Sequence, residues 1–288
     1  MRFALAILPL ALALIASAAE HNAIVLKPVA NMYSKPADNT DVVSQAIYGT
    51  RLGVLEEMPG WARVQTPDEY TGWMRADEFR KLKDNEQPYA ASGRVARVES
   101  LFANLYREPD VTTSAPVLTV PFETKLEITA EPEKDAARWL RVGLADGRIA
   151  WVQRGDVTLD DAPLSMEAML ALSRRFLGLP YLWGGTSTYG YDCSGFAQML
   201  YRRMGVILPR DAQPQADWKG LAPVERAALR PGDLVYFGSS DRKISHTGLY
   251  LGNGEFINAT THGRPVIQID KLDEPYWSKL FVAARRLK

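Results

Sequence analysis

The chain holds one cysteine, Cys193, and its neighbours give that thiol a reason to react. It follows a Gly-rich turn, Gly184-Gly185-Thr-Ser-Thr-Tyr-Gly190, and an aspartate, Asp192, and it opens a helical pattern carried by Phe196, Leu200 and Met204. A helix N-terminus presents unpaired N–H groups and partial positive charge, which favour a thiolate. A lone cysteine is more commonly a small buried hydrophobe. Downstream, however, Ile244-Ser-His246-Thr-Gly-Leu-Tyr-Leu-Gly-Asn-Gly-Glu-Phe-Ile-Asn258 places a histidine at the start of a strand, and a hairpin returns to a polar asparagine. A thiol, an imidazole base and a polar group to orient it form the set that cysteine hydrolases use, and such residues meet in space rather than in sequence.

Two residues compete to orient the ring, Asn258 and His262, and strand register separates them. Side chains alternate faces along a strand. If Asn253-Gly254 closes a two-residue turn, Leu249 faces Asn258, which then lies on the opposite face from His246. If the loop is Gly252-Asn253-Gly254 with Gly254 left-handed in a bulge, Gly248 faces Asn258 and Asn258 sits diagonally beside His246. Gly248 has no side chain to block that contact. His262, between Thr260-Thr261 and Gly263-Arg-Pro265, reads as strand end or loop. Only the second register makes Asn258 the orienter, with Cys193 and His246 as the reacting pair.

The elements that must position these groups read as α+β. Ser165 can cap a helix carrying Met169, Phe176 and Leu177, ended by Gly178 and Pro180. Cys193 opens a second helix, stopped by Gly205. Strands are expected at 233–237, 246–251, 255–259, 266–269 and 280–286. At this point the chain resembles the NlpC/P60 cell-wall peptidases, over residues 165–288. The likeness is carried by Tyr181-Leu-Trp-Gly-Gly, Asp192-Cys-Ser-Gly-Phe196, Leu208-Pro-Arg210, Arg230-Pro-Gly-Asp-Leu234 and the His246 strand. It implies a papain-like domain, places the third polar residue at Asn258, and puts Tyr181 at the active site. There the phenol would reach the oxyanion or the substrate, beside the Cys193 backbone N–H. A core tyrosine in a tight turn is the plainer alternative for Tyr181.

Ahead of this domain the sequence repeats itself. Asn31-Met-Tyr33-Ser-Lys-Pro36 returns as Asn104-Leu-Tyr106-Arg-Glu-Pro109, 73 residues on, while Trp61 and Trp73 return as Trp139 and Trp151, 78 residues on. One unit has gained about five residues in a loop. Short strands between Gly, Pro, Asp and Asn suggest two small bent β-barrels, with strands at 25–26, 53–56, 62–66 and 72–74 and again at 94–98, 125–128, 139–143 and 149–152. The four matched tryptophans are expected in the barrel cores. The Asn-x-Tyr-x-x-Pro opening and paired tryptophans are similar to bacterial SH3 modules. The fold expected is thus α+β multidomain: SH3-like barrels at 20–85 and 86–160, then a papain-like catalytic domain at 163–288. Short polar linkers around 83–88 and 160–163 predict modules packed on one another.

Residues 1–19 read as a secretory signal peptide: Arg2, an apolar run from Phe3 to Ile15, then small residues through Ala19. That predicts export to the periplasm or beyond, without stable membrane insertion after cleavage. With one cysteine no internal disulfide can form, so the fold must rest on its core, for which 47% apolar residues suffice. A formal net charge of zero offers no field for a nucleic acid. Three histidines and one cysteine show no metal spacing, and no cofactor is expected.

The resemblance implies peptidoglycan stem peptides or muropeptides as substrate, cut between the γ-carboxyl of D-Glu and a diamino acid. In the branch with N-terminal SH3 modules, the counterparts of Asp192 and Ser194 help hold a free N-terminal L-Ala. An ammonium needs a carboxylate partner, and the first barrel offers Asp41 with Tyr70. That branch usually carries Glu where Asp41 stands, and exposed barrel residues are the alternative for both. An amidase or acyltransferase on the same site, and a wall-binding protein acting on intact peptidoglycan, are the rival functions. An inactive scaffold is not, since Cys193 and His246 are both present.

Overall fold

The computed structural model describes residues 21–91, 93–130 and 138–288; the expected signal peptide lies outside them. The first sheet is built from β1 (Ala23–Val25), β2 (Val29–Tyr33), β3 (Val42–Ile47), β4 (Arg51–Met58), β5 (Trp61–Gln65), β6 (Thr71–Arg75) and β7 (Phe79–Lys81). The second holds β8 (Val95–Val98), β9 (Phe102–Tyr106), β10 (Leu118–Pro121), β11 (Lys125–Ala130), β12 (Trp139–Gly143), β13 (Ile149–Gln153) and β14 (Val157–Thr158). Their orders are β3-β2-β6-β5-β4-β1-β7 and β10-β9-β13-β12-β11-β8-β14, one topology used twice.

The repeated residues have repeated jobs. Asn31 accepts from the Gln45 amide at 2.9 Å across the β2–β3 pair, and Asn104 accepts from Thr119 Oγ1 at 2.7 Å across β9–β10. Tyr33 meets Trp61 edge to face at 5.5 Å, and Tyr106 meets Trp139 the same way at 5.6 Å, each pair worth about 0.5–1.5 kcal/mol beyond its buried area. The same tyrosines stand opposite Trp73 and Trp151 in register. The expectation of four core tryptophans needs correcting, because only Trp139 is buried and Trp61, Trp73 and Trp151 are half-buried. The space inside so small a barrel takes Ala30, Met32, Leu52, Ala62, Val64 and Met74 instead. Trp61, Trp73 and Trp151 stay partly exposed beside their tyrosines.

The last module places α1 (Met166–Ser173) and α2 (Cys193–Arg203) against one antiparallel sheet. Between the two helices lies a short hairpin, β15 (Thr186–Ser187) with β16 (Gly190–Tyr191). After α2 come α3 (Ala212–Asp217), β17 (Leu221–Pro223), β18 (Leu234–Ser240), β19 (Lys243–Gly252), β20 (Glu255–Thr260), β21 (Val266–Lys271), α4 (Pro275–Leu280) and β22 (Phe281–Leu287). The sheet order is β17-β22-β18-β19-β20-β21, which puts β19 at its centre. Ser165 caps α1 by accepting from the Ala168 N–H at 3.2 Å. That helix ends earlier than the sequence suggests, in a 3-10 turn at Arg174–Phe176. Met169 and Phe176 are buried there while Leu177 is exposed.

The modules pack on one another. Phe122 of the second barrel meets Phe176 edge to face at 5.2 Å, and Arg202 of α2 pairs with Glu123 at 2.7 Å. Between the barrels Tyr48 accepts from the Ala145 N–H, and Tyr89, buried in the linker, donates to the Gly143 carbonyl. The first barrel reaches α2 and its flanking loops directly. Thr186 Oγ1 donates to the Gln45 carbonyl, Gln198 to Asp68, and Arg210 to Ser44 Oγ.

Candidate active site

Cys193 is the first residue of α2, and Asp192 is the cap before it. The Asp192 carboxylate accepts from the Gly195 N–H at 2.7 Å, the Gly184 N–H at 3.1 Å and Ser194 Oγ at 3.2 Å. It also takes both ends of the Arg210 guanidinium, at 2.5 and 3.1 Å, with both side chains buried. Arg210 then reaches Ser194 Oγ at 3.0 Å and Ser44 Oγ in the first barrel at 3.1 Å. Asp192 and Ser194, expected as substrate contacts, are thus members of a buried network that fixes the start of α2 against barrel and loop. The sequence placed Arg210 in a motif without assigning it this work. Burying a guanidinium is costly unless its nitrogens are paired, and here a carboxylate and two hydroxyls accept from all three of them.

His246 lies inside β19 rather than at its start, since the strand begins at Lys243. β19 packs directly against α2, and the Thr247 backbone lies near enough to Cys193 to favour its charged form. Asn258 on β20 meets the ring, with its Oδ1 2.8 Å from His246 Nε2. The register is the one that makes Asn258 the orienter, because Leu249 pairs with Ile257 and so Gly248 faces Asn258. The device differs in detail from expectation. Asn253-Gly254 is a two-residue turn with both residues left-handed (φ 53° and 78°), and the extra residue is taken up by a bulge between Tyr250 and Gly252. At Gly248 a Cβ would stand 2.6 Å from Phe256 Cδ2 and 3.1 Å from Asn258 Cβ, so glycine is required for the approach.

His262 is not on His246. Its ring stacks flat on Tyr276 at 3.8 Å, and its backbone N–H donates to Thr260 Oγ1. Two neighbours escaped the sequence reading. Trp277, buried on α4, stacks against the His246 ring at 5.0 Å and 26°. Asp270, on β21, accepts from Asn258 Nδ2 at 2.9 Å. Period-two spacing from Gln268, the cross-strand partner of Asn258, was the available signal for Asp270. Trp277 comes from a helix of six residues that carries no periodic signal of its own.

Electrostatics correct one expectation. The helix start does not leave an easily ionised thiol: burial pushes Cys193 up to about 12, and the Asp192 charge adds to this, against the Thr247 N–H and Arg210. Burial likewise pushes His246 down to about 4, against the Asn258 bond and the Asp270 charge. Neither group charges alone in this apolar setting. Burial of this kind favours forming a thiolate together with an imidazolium over charging either group by itself. Tyr181, half-buried, is close enough for Cys193 to raise its phenol pKa further, after burial.

The first-barrel candidates separate. Tyr70 donates to Asp211 Oδ2 at 3.1 Å, across the seam and next to Arg210. Asp41 sits exposed and accepts from Ser34 Oγ at 2.6 Å on its own barrel. Its neighbour Val42 presses its carbonyl into the place a Gly184 side chain would fill. Among the described residues no group of three or more His, Cys, Asp or Glu is placed to hold a metal, and no helix is long and apolar enough to cross a membrane.

The arrangement is matched in known proteins. Residues 178–286 fit the NlpC/P60 family model, and residues 32–79 fit the bacterial dipeptidyl-peptidase SH3 domain. A gamma-D-glutamyl-L-lysine dipeptidyl-peptidase of Bacillus cereus is 31% identical over 258 residues, covering 84% of this chain and 74% of its own. A murein DD-endopeptidase of Escherichia coli is 42% identical over 114 residues, 38% of this chain and 42% of its own. In fold, the crystal structure of an NlpC/P60 family protein from Bacillus cereus matches with a TM-score of 0.78 at 24% identity, covering 92% of this chain and 99% of its own. A relative matched through barrels and peptidase together leaves one assignment: the chain belongs to the NlpC/P60 family and is a peptidase of the cysteine type.

Proposed function

We propose that this chain, after export, hydrolyses peptidoglycan stem peptides at the bond from the γ-carboxyl of D-Glu to the diamino acid, in fragments with a free N-terminal L-Ala. The observation that carries the reading is the seat of the first barrel on the start of α2, through Ser44–Arg210, Gln45–Thr186 and Tyr70–Asp211. A barrel fixed there closes one end of the cleft. A peptide would then enter by its free amine but not while a glycan occupies that amine. The two relatives support the choice of bond. The one named for the γ-D-glutamyl bond is matched over barrels and peptidase, and the one named for another bond is matched over 38% of the chain.

In the proposed mechanism Cys193 Sγ attacks the scissile carbonyl carbon as its proton passes to His246. The imidazolium, oriented by Asn258, gives that proton to the leaving amine. Water, activated by the neutral ring, then hydrolyses the thioester. The Cys193 backbone N–H and the Tyr181 phenol are the donors for the oxyanion. The substrate ammonium pairs with a carboxylate of this region, Asp41 or Asp211 beside Tyr70, while Asp192 and Ser194 brace the start of α2 behind it.

The test compares L-Ala-γ-D-Glu-L-Lys, its N-acetylated form and intact sacculi, with products identified by mass. The free peptide should be cut into L-Ala-D-Glu and lysine. Acetylation should cost about 100-fold or more in kcat/KM, because it removes the charge that the carboxylate pairs with and adds bulk where the free amine enters. Equal rates on the two peptides, or efficient release from sacculi, would refute the gating.

A further inference from the structure

A hydrogen bond between His246 and Asn258 can be made two ways. The amide can turn its oxygen to the ring and accept, or turn its NH2 and donate. Only the first leaves Nε2 protonated and Nδ1 bare, so that the ring nitrogen away from Asn258 can take a proton. A side-chain amide on its own has little preference between the two. What stands behind Asn258 decides it. Asp270 Oδ2 accepts from Asn258 Nδ2 at 2.9 Å, and the Gln268 carbonyl lies 3.4 Å from the same nitrogen. Turning the amide over would set its oxygen against a carboxylate and a carbonyl, neither of which can donate.

Asp270 is itself held in place. The Gln268 side-chain NH2 donates to both of its oxygens, at 3.0 and 3.1 Å, and also to the His262 carbonyl at 3.2 Å. Asn258 is fully buried and Asp270 is 9% exposed, so solvent does little to screen the carboxylate from the amide. The three residues occupy one face of the β20–β21 pair, Asn258 directly opposite Gln268 and Asp270 two residues on.

We infer that Asp270 is a positioning residue for this peptidase: it locks the Asn258 amide with its oxygen toward His246 and so fixes the imidazole as the Nε2–H tautomer. The dyad of ring and amide is thereby a relay of three, ending in a charge. That charge also favours the imidazolium that forms during attack. Asp270 touches neither thiol nor ring, and its hold on the tautomer runs through Asn258.

Two measurements test this on the full chain. The first needs no substrate and does not depend on the proposed cleavage reaction. The chain has three histidines, so 15N-histidine spectra resolve each ring. His246 should show a protonated Nε2 and a bare Nδ1 in the wild type, and a mixture of tautomers in Asp270→Asn, whose amide can present either end to Asn258. The second is a double-mutant cycle on the stem peptide. Asp270→Asn and Asp270→Ala should each lower kcat by about 10- to 100-fold, the rate equivalent of one charge-assisted hydrogen bond, with little change in KM. In an Asn258→Ala background most of this cost should vanish, leaving only the part due to the Asp270 charge acting on the ring. Thermal melts identify a variant that has lost its fold; Asp270→Asn, which keeps shape and an acceptor for Gln268, is the deciding one. Unchanged His246 shifts in folded Asp270→Asn would overturn the inference, and so would a loss of equal size with and without Asn258. Absence of stem-peptide cleavage by the wild type would count against the proposed function and leave the spectral test standing.

Discussion

Gly248→Ala should damage catalysis without touching any reacting group. The added methyl would stand 2.6 Å from Phe256 Cδ2, 3.1 Å from Asn258 Cβ and 3.1 Å from the Ile257 carbonyl oxygen. Ordinary contact needs about 3.4 Å or more, so the ring must retreat by about 0.8 Å and Asn258 by about 0.3 Å. Phe256 cannot retreat easily, because Phe237 lies 5.0 Å and Trp277 5.2 Å from its centroid, all three buried. The cheaper response is for β19 and β20 to part locally, which carries Asn258 away from a ring that it now meets at 2.8 Å. Overpacking of this kind costs about 1–3 kcal/mol of stability, and misplacement of a catalytic contact by up to 1 Å costs as much as about 100-fold in rate. We therefore expect a lower Tm together with a kcat reduced by about 10- to 100-fold and a nearly unchanged KM. Melting curves and steady-state kinetics on the stem peptide decide it. Wild-type kcat in Gly248→Ala would refute the claim that Asn258 orients His246 through this close approach.

Cys193→Ala and His246→Ala should each remove several orders of magnitude in kcat while the melting transition persists, since thiol and ring act as a unit; turnover by Cys193→Ala near the wild-type rate would remove the thiol mechanism. The pH profile should carry the mark of burial. With His246 pushed down to about 4, the ring stays neutral and able to take a proton well below the ordinary imidazole value of about 6.5, so kcat/KM should fall only as pH drops through about 4. The unfolded chain binds that proton already near 6.5, so the same group should erode stability between about 6.5 and 4, by on the order of 3 kcal/mol in total. An acid limb near 6.5, in a titration of kcat/KM with stability followed in parallel, would show that the ring is more solvated than it stands here.

Much of this molecule was legible before any fold was known. Cys193 at a helix start, His246 on a strand and Asn258 on the returning strand are local signals, written in capping residues and strand alternation. Alternation alone allowed two registers, and the resemblance to the NlpC/P60 family, which places the third polar residue at Asn258, favoured the one observed. The bulge itself was placed in the loop rather than between Tyr250 and Gly252, since a turn and a bulge leave similar traces in a Gly-Asn-Gly run. The internal repeat was equally plain, because Asn31 and Asn104, Tyr33 and Tyr106 do the same job in the same topology.

What tertiary structure decided is where distant segments meet and how much water they exclude. The helix-start argument for an ionised thiol is correct for a helix end in water, and it fails because Trp277, Phe237 and the Asp192 network close over the pair. The barrel tryptophans read as core because large apolar residues usually are. Three of the four stay half-buried because smaller side chains, such as Ala30, Met32, Leu52 and Val64 in one barrel and Ala103, Leu105 and Val142 in the other, already fill the interior. Tyr70 finds Asp211, Ser44 finds Arg210 and Asn258 finds Asp270 across docking faces or strand pairs that no local pattern encodes. The sequence by itself determined which groups can react, because that depends on residue type and on the element each one starts or sits in. Their charge state, their orientation and the docking of the first barrel beside them belong to the tertiary structure, because desolvation and hydrogen-bond direction depend on neighbours brought in from elsewhere in the chain.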